Sequence, residues 1–433
     1  MARIAAPEVR TTNRPVGLAP FRTVLPNGAV VVVKETQRTP SVTMNVAVRS
    51  GAVCDPVGRP GAMNLLTRVI DRGTMARSAL QIAEELDGRG VTLSIGVTRH
   101  LVSIVCTCLS DDFESLMSLL AEIIISPSLP EDELAVRRGE VITAIGQDED
   151  SPAVRSTEGL MEMLYGPDHP YGWRLKGSRA VVEGIGREDL LELHAARFAP
   201  SELTAVVVGD VEVATALDIA NRAFGRWQVP PPAPVPLGRP SVSAIRRRAV
   251  IPMMNKAQTD IAYGFISVAR SDPAFYAHWL MNNALGQYAL GGRLGDSIRE
   301  RQGMAYSVSS ALEAQIIEGP LLIRAGVSPE NVDRAIASID QELANLRSEG
   351  LTERELTESR NYLIGSMPRT LETNAGVANF LQRAEVFGLG TDFDVRVNDL
   401  LREVTLDDVN AAARRALDPD RASIVVAGPY DAQ

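Results

Sequence analysis

Two stretches of the chain, Ile185–Val211 (IGREDLLELHAARFAPSELTAVVVGDV) and Val404–Tyr430 (VTLDDVNAAARRALDPDRASIVVAGPY), read as one unit written twice. Each begins with a capped helix start, passes an x-Pro turn, and closes on an apolar strand ending in glycine. Asp189 matches Asp408, Pro200 matches Pro419 and Gly209 matches Gly428, each 219 residues apart. An earlier pair repeats as well: Leu109–Leu134 resembles Val327–Leu356, with Ser110 matched to Ser328 and Leu134 to Leu356. Here the spacings are 218 and 222 residues, a drift that loop insertions produce. A repeat of this length is a duplicated domain.

Periodicity within each copy indicates α+β structure. Phe113, Leu116, Met117 and Leu120 follow the spacing of a helix with one buried face, and Val332, Ala335, Ile336, Ile339 and Leu343 do the same in the second copy. Ala29–Glu35, Val42–Ser50 and Leu203–Val211 read as strands. Between the copies lies VPPPAPVPLGRPSVS, Val229–Ser243, whose prolines cannot pair inside a sheet and favour extended chain. The expected organisation is a first domain at 1–228, a linker at 229–243 and a second domain at 244–433, each domain of ordinary size. Each is expected to combine a sheet with helices.

The bulk numbers narrow the function. At 433 residues the chain exceeds a single compact core. Its formal net charge of −10 argues against nucleic-acid binding, which calls for a basic surface. The one dense basic run, Arg246-Arg247-Arg248, reads as a strand edge or linker anchor. Cys54, Cys106 and Cys108 form neither a disulfide framework nor a metal spacing, and the last two share one side of a strand as buried thiols. No apolar run reaches the ~18–20 residues needed to cross a bilayer. The N-terminal stretch lacks the apolar core of a signal peptide, although a trimmed leader would leave the same sequence, so cytoplasm and periplasm both stay open.

Conventional catalytic patterns are missing. His100, His169, His194 and His278 stand apart from one another, and His169, in GPDHPYG, is expected to fix a turn. There is no G-x-S-x-G elbow, and LGGRLGDS (Leu290–Ser297) lacks the G-K-[ST] ending of a phosphate loop. The unusual texture lies at Asn282–Ser310: a helix end, a loop with Gly291-Gly292, a short helix stopped by Gly303, then a strand from Ala305. Arg299 and Tyr306 sit on either side of that stop.

Taken together, LPNGAVVVV, GAMNLLTRVIDRGT (Gly61–Thr74), QDEDSP, HPYG and LGGRLGDSIRERQGMAYSVSS resemble the pitrilysin or insulinase-type peptidases, the inverted zincins, over essentially the whole chain. In active members the frame at Gly61–Thr74 carries H-x-x-E-H, two zinc ligands flanking a general base, and a later glutamate completes the site. Matched residue by residue, the histidine positions here hold Asn64 and Arg68, the base position holds Thr67, and the distal glutamate falls at Thr143-Ala144, with Ala144 in its place. The resemblance therefore implies two α+β domains, each a mixed, mainly antiparallel sheet packed with helices, no metal in this chain, and zinc in a homologous partner subunit bearing H-x-x-E-H. It also implies roles in trans for this chain: Tyr306 donating to the scissile carbonyl or oxyanion, Arg299 holding a substrate carbonyl or orienting the tyrosine, and Gly291 and Gly292 forming a flexible peptide-contacting loop. The expected function is the metal-free subunit of a heteromeric zinc endopeptidase acting on unfolded peptides. The alternative is a catalytically inert structural or peptide-binding homologue.

Overall fold

The computed structural model describes residues 17–287 and 292–431. Eleven strands among these residues form two sheets. The first contains β1 (Phe21–Val24), β2 (Val30–Glu35), β3 (Ser41–Val48), β4 (Leu93–Val97), β5 (Val102–Leu109) and β6 (Leu203–Gly209), in the order β1-β2-β6-β3-β5-β4. The second contains β7 (Arg247–Pro252), β8 (Thr259–Ile266), β9 (Ala305–Leu312), β10 (Pro320–Val327) and β11 (Ser423–Gly428), in the order β7-β11-β8-β10-β9. Without β1 the two orders coincide. In each, the first pair (β2 with β6, β7 with β11) is parallel and every later pair antiparallel.

The repeated sequence explains itself at this level. Helix Arg187–Arg197 leads into β6, and helix Leu406–Ala416 leads into β11. The Asp189 carboxylate accepts from the Gly186 N–H and the Asp408 carboxylate from the Thr405 N–H, both at 2.9 Å, so the matched aspartates close equivalent helix starts. Gly209 and Gly428 end their strands at φ +150° and +144°, where a Cβ would lie 2.2 Å from the Ser41 carbonyl oxygen or 2.6 Å from the Thr259 Cα. Only glycine lets the strand end turn that close to its neighbour.

Each sheet is covered on one face by helices of its own half and on the other by a helix from the opposite half. Helix Pro152–Tyr165, capped by the Ser151 hydroxyl, lies across β8 and β11. Its Leu160 is fully buried, and a Cβ on Gly159 would already stand 3.2 Å from Val425 and 3.3 Å from Ile251. In return, helix Asn374–Val386 lies across β3 and β6, setting Val377, Ala378 and Leu381 against Val32, Val206 and Val208. Polar ties flank that contact, from Asn374 to the Ser41 carbonyl at 3.2 Å and from Asn45 to Asn379 at 2.7 Å.

Tyr165, stacked beside the HPYG turn, adds a third tie between the halves. His169 accepts the Tyr171 N–H through Nδ1 and donates from Nε2 to the Gly238 carbonyl, each at 3.0 Å. Tyr171 is fully buried, its hydroxyl 2.5 Å from His100 Nε2, while Tyr165 donates to the Glu318 carbonyl at 3.0 Å. Residues 229–243 form neither helix nor strand and are pinned by His169 at Gly238 and by Arg197 at the Ala233 carbonyl. The arginine run opens edge strand β7: Arg246 pairs with Asp340 through two 2.9 Å hydrogen bonds and lies over Tyr263. Leu160→Ala, which removes buried contacts where one half covers the other, is expected to cost about 2–5 kcal/mol. Chemical denaturation measures it, and a change below ~0.5 kcal/mol would refute the importance of the crossed helix.

Candidate functional site

Helix Ala62–Val69 is the first place to look for chemistry. It packs on helix Glu131–Glu149, and these are the two elements to which the family resemblance assigns the metal positions. Met63, Leu65, Leu66, Val69 and Ile70 are fully buried, so the helix is held by core packing. Asn64 is buried with its Oδ1 unpartnered, and the Thr67 hydroxyl donates to the Asn64 carbonyl at 2.7 Å. Arg68 is the helix's exposed side chain. It lies close enough to the second helix to help hold the Glu140 carboxyl below its usual range, after the hydrogen bond and charge of Arg137 and the charge of Arg72. Ala144 has no donor atom. A zinc site needs four lone-pair donors; one amide oxygen, a hydroxyl already donating, and a guanidinium with no lone pair and a fixed positive charge do not fit it. Among the described residues no three His, Cys, Asp or Glu side chains converge elsewhere as a metal site.

The helix start is fixed by Asp55. Its carboxylate accepts from the Gly61 and Met63 N–H groups, both at 2.7 Å, across a turn where Gly61 adopts φ +96°. Burial nevertheless raises the Asp55 carboxyl to about 7, the two backbone hydrogen bonds only moderating the shift. The folded chain therefore holds this proton more tightly than the unfolded one. The resulting stabilisation is complete below the ordinary aspartate range and is lost as pH rises through about 7. Asp55→Asn, which cannot ionise, is expected to flatten the fall in melting temperature between about pH 5 and pH 8. An unchanged slope would show that Asp55 does not titrate there.

The second half brings the remaining candidates together. Helix Phe275–Asn282 continues as a π-helical turn, Asn283–Gln287, and a second π-helical segment, Gly295–Arg301, precedes β9. The expected short helix is thus wound wider than an α-helix, a distortion common where function displaces regular hydrogen bonding. Gly303 at φ +61° closes the turn, with its N–H on the Arg299 carbonyl and the Met304 N–H on that of Ile298. Arg299 and Tyr306 therefore stand on the two arms of one tight turn. Arg299 is half exposed, with Glu300 at 3.6 Å.

Tyr306 occupies a position no sequence pattern disclosed. Ser307 pairs with Gly326 and Ala305 with Val327, so Tyr306 is the extra residue of a β-bulge on an edge strand. Bulges re-aim side chains, and this one leaves Tyr306 84% exposed, its hydroxyl bonded to no described residue. Gly291 lies outside the described residues. Gly292 is buried rather than open: a Cβ there would fall 2.8 Å from the Gly286 Cα, so two glycines let the loop press against the π-helical turn.

Arg293 anchors that loop. It forms hydrogen bonds to Glu355 at 2.6 and 2.9 Å and to the Gly350 carbonyl at 2.9 Å. Burial alone would raise the Glu355 carboxyl, but hydrogen bonds from Arg293 and Thr352 outweigh it and hold it at about 2. That contribution is present above the ordinary glutamate range and is lost only as pH falls through about 2. Arg293→Ala is expected to lower stability by about 1.5–3 kcal/mol, measured by denaturant titration at neutral pH. Equal stability of wild type and variant would remove Arg293 as the anchor.

The histidines serve the fold: besides His100 and His169, His194 bonds the Ile124 carbonyl at 2.8 Å and His278 the Ala274 carbonyl at 3.0 Å. Burial lowers His100 to about 4 and raises Cys106 and Cys108 to about 12, which leaves these groups uncharged. The sequence reading missed Asp55, Arg293 and the bulge. The arginine next to Gly292 was the available signal for Arg293, and nothing local signals Asp55 or the bulge.

Fold and site together define a two-domain α+β protein of metallopeptidase type in which Asn64, Thr67, Arg68 and Ala144 do not make a metal-ligand set. Residues 30–169 match the family described as insulinase (peptidase family M16), and residues 184–363 match that described as peptidase M16 inactive domain. The chain belongs to peptidase family M16. It is 27% identical over 422 residues to an uncharacterized zinc protease of Mycobacterium bovis, covering 95% of this chain and 94% of that one. It is 21% identical over 392 residues to the non-peptidase homolog YmxG of Helicobacter pylori, covering 88% and 87%. The crystal structure of a peptidase M16 inactive domain from Pseudomonas fluorescens superposes with a TM-score of 0.89 at 24% identity, over 96% of this chain and 99% of that chain, and shares the fold.

Proposed function

We propose that this chain is the metal-free subunit of a two-chain zinc endopeptidase acting on unfolded peptides, and that it completes the site of a homologous subunit bearing H-x-x-E-H. The observation that carries this reading is Tyr306: an exposed hydroxyl held on a bulge and bonded to no described residue, in a chain whose matched metal positions hold Asn64, Arg68 and Ala144. Zinc held by the partner would supply the activated water. This chain's contribution is to bind and orient the peptide and to donate to the oxyanion. Tyr306 offers its O–H to the scissile carbonyl oxygen as negative charge develops there. Arg299, on the other arm of the turn, holds a neighbouring carbonyl. None of these steps needs a metal ligand from this chain, which accounts for a guanidinium at position 68.

The test mixes the purified chain with an H-x-x-E-H-bearing homologue from the same source and follows cleavage of an internally quenched peptide. Tyr306→Phe is expected to lower kcat by about 10²–10³-fold with little change in KM, as for loss of one oxyanion donor. Arg299→Ala is expected to act mainly on KM. Full activity in both variants would overturn these roles. A partner that cleaves equally well without this chain would instead favour an inert structural or peptide-binding homologue.

A further inference from the structure

Strand β10 is buried at seven of its eight positions, and the exception is Arg324 at its centre. A charge in the second strand from the edge is unusual, because that position normally faces packing on both sides. Its side of the sheet is the one helix Pro152–Tyr165 covers elsewhere, over Ala262, Leu322 and Val425. Arg324 pairs with Ala262 on one side and Ser309 on the other, beyond the reach of that cover. The duplicated fold supplies an internal comparison. Asn45 in β3 corresponds to Ala262 in β8, and Asn45 pairs with Val105 just as Ala262 pairs with Arg324. Where the first half has valine, the second has arginine.

The same register sets Arg324 beside the candidate site. Two residues along β10, Gly326 faces Ser307, next to the Tyr306 bulge. Arg324 thus lies one strand inward and three residues along from Tyr306, roughly 10 Å measured along an extended chain. Around it are Ser307, Ser309, Asp260 and Glu313. Asp260 is already served by Gln258 at 3.2 Å, whereas Glu313 reaches Arg324 at 3.3 Å. That pair is nearly half exposed on both sides, so it is weak and open to exchange.

We propose that Arg324 is a specificity-determining residue that receives a carboxylate of the bound peptide about three residues from the bond cut, with Glu313 as the internal carboxylate it displaces. This inference rests on the function proposed above. A guanidinium matches a carboxylate in shape and charge, and an exposed intramolecular pair gives way to a ligand held in register by other contacts.

The test uses the two-chain enzyme and three peptides differing only at that position: Asp, Asn and Lys. A fourth carries the carboxylate as a free C-terminus, paired with its amide. Tyr306→Phe runs in parallel. If it leaves activity unchanged, the functional reading fails independently of Arg324. Given its expected loss, Arg324→Gln should raise KM for the Asp peptide about tenfold, with kcat and the Asn peptide unaffected. Arg324→Glu should transfer the preference to the Lys peptide, and Glu313→Gln should tighten the Asp peptide, outcomes that a folding defect cannot produce. A larger effect on the free C-terminus than on internal Asp would identify a chain-end carboxylate as the ligand. Equal effects of Arg324→Gln on Asp, Asn and Lys peptides, with no response of either carboxylate peptide to Glu313→Gln, would overturn the proposal.

Discussion

The structure depends on a reciprocal burial. Each half leaves one face of its sheet incomplete, and the opposite half supplies the helix that closes it. Leu160 and Gly159 seat the first helix on the second sheet, and Val377, Ala378 and Leu381 seat the other helix on the first. Because neither face is buried without its counterpart, the two sheets are fixed as one body, and the hydrophobic area removed from water holds their mutual geometry. Tyr165 reinforces this from the side through its hydrogen bond to the Glu318 carbonyl, while His100 satisfies the buried Tyr171 hydroxyl.

That arrangement covers only part of each inner face. Helix Pro152–Tyr165 lies over β8 and β11 and leaves the far side of β10 and the edge strand β9 accessible. All the groups assigned a role toward peptide lie on or beside this uncovered strip. Tyr306 is lifted out by a bulge, Arg299 stands across a glycine turn from it, and Arg324 breaks an otherwise buried strand. Two π-helical segments and a glycine-on-glycine contact support them, and the Arg293–Glu355 pair ties the loop to a long helix. Irregular backbone here is supported by regular packing behind it, which keeps the side chains positioned.

In the first half the same kind of support surrounds positions without catalytic groups. Asp55 still caps the helix at Gly61 and Met63, and the core still grips Met63, Leu66 and Ile70. The helix is retained because removing it would open the core. Its solvent-facing position is occupied by Arg68, a charge that repels a dication. Scaffold and chemistry are separable here: the packing face of a helix is constrained by its neighbours, whereas its exposed position is constrained only by function.

The sequence by itself determined the duplication, the strand and helix types and the linker composition. These follow from repeated spacing, from periodicity and from glycine and proline placement. It also located Arg299 and Tyr306 as the residues to watch, through resemblance rather than through any physical signal of their own. Only the tertiary structure decided which helix covers which sheet, that Gly292 is buried against Gly286, that Tyr306 is a bulge residue, and that Arg324 shares its strip. The reason is range. The register of β10 against β8 and β9 and the seating of one half's helix on the other depend on partners far away in the chain, and no short window of sequence contains both sides of such a contact.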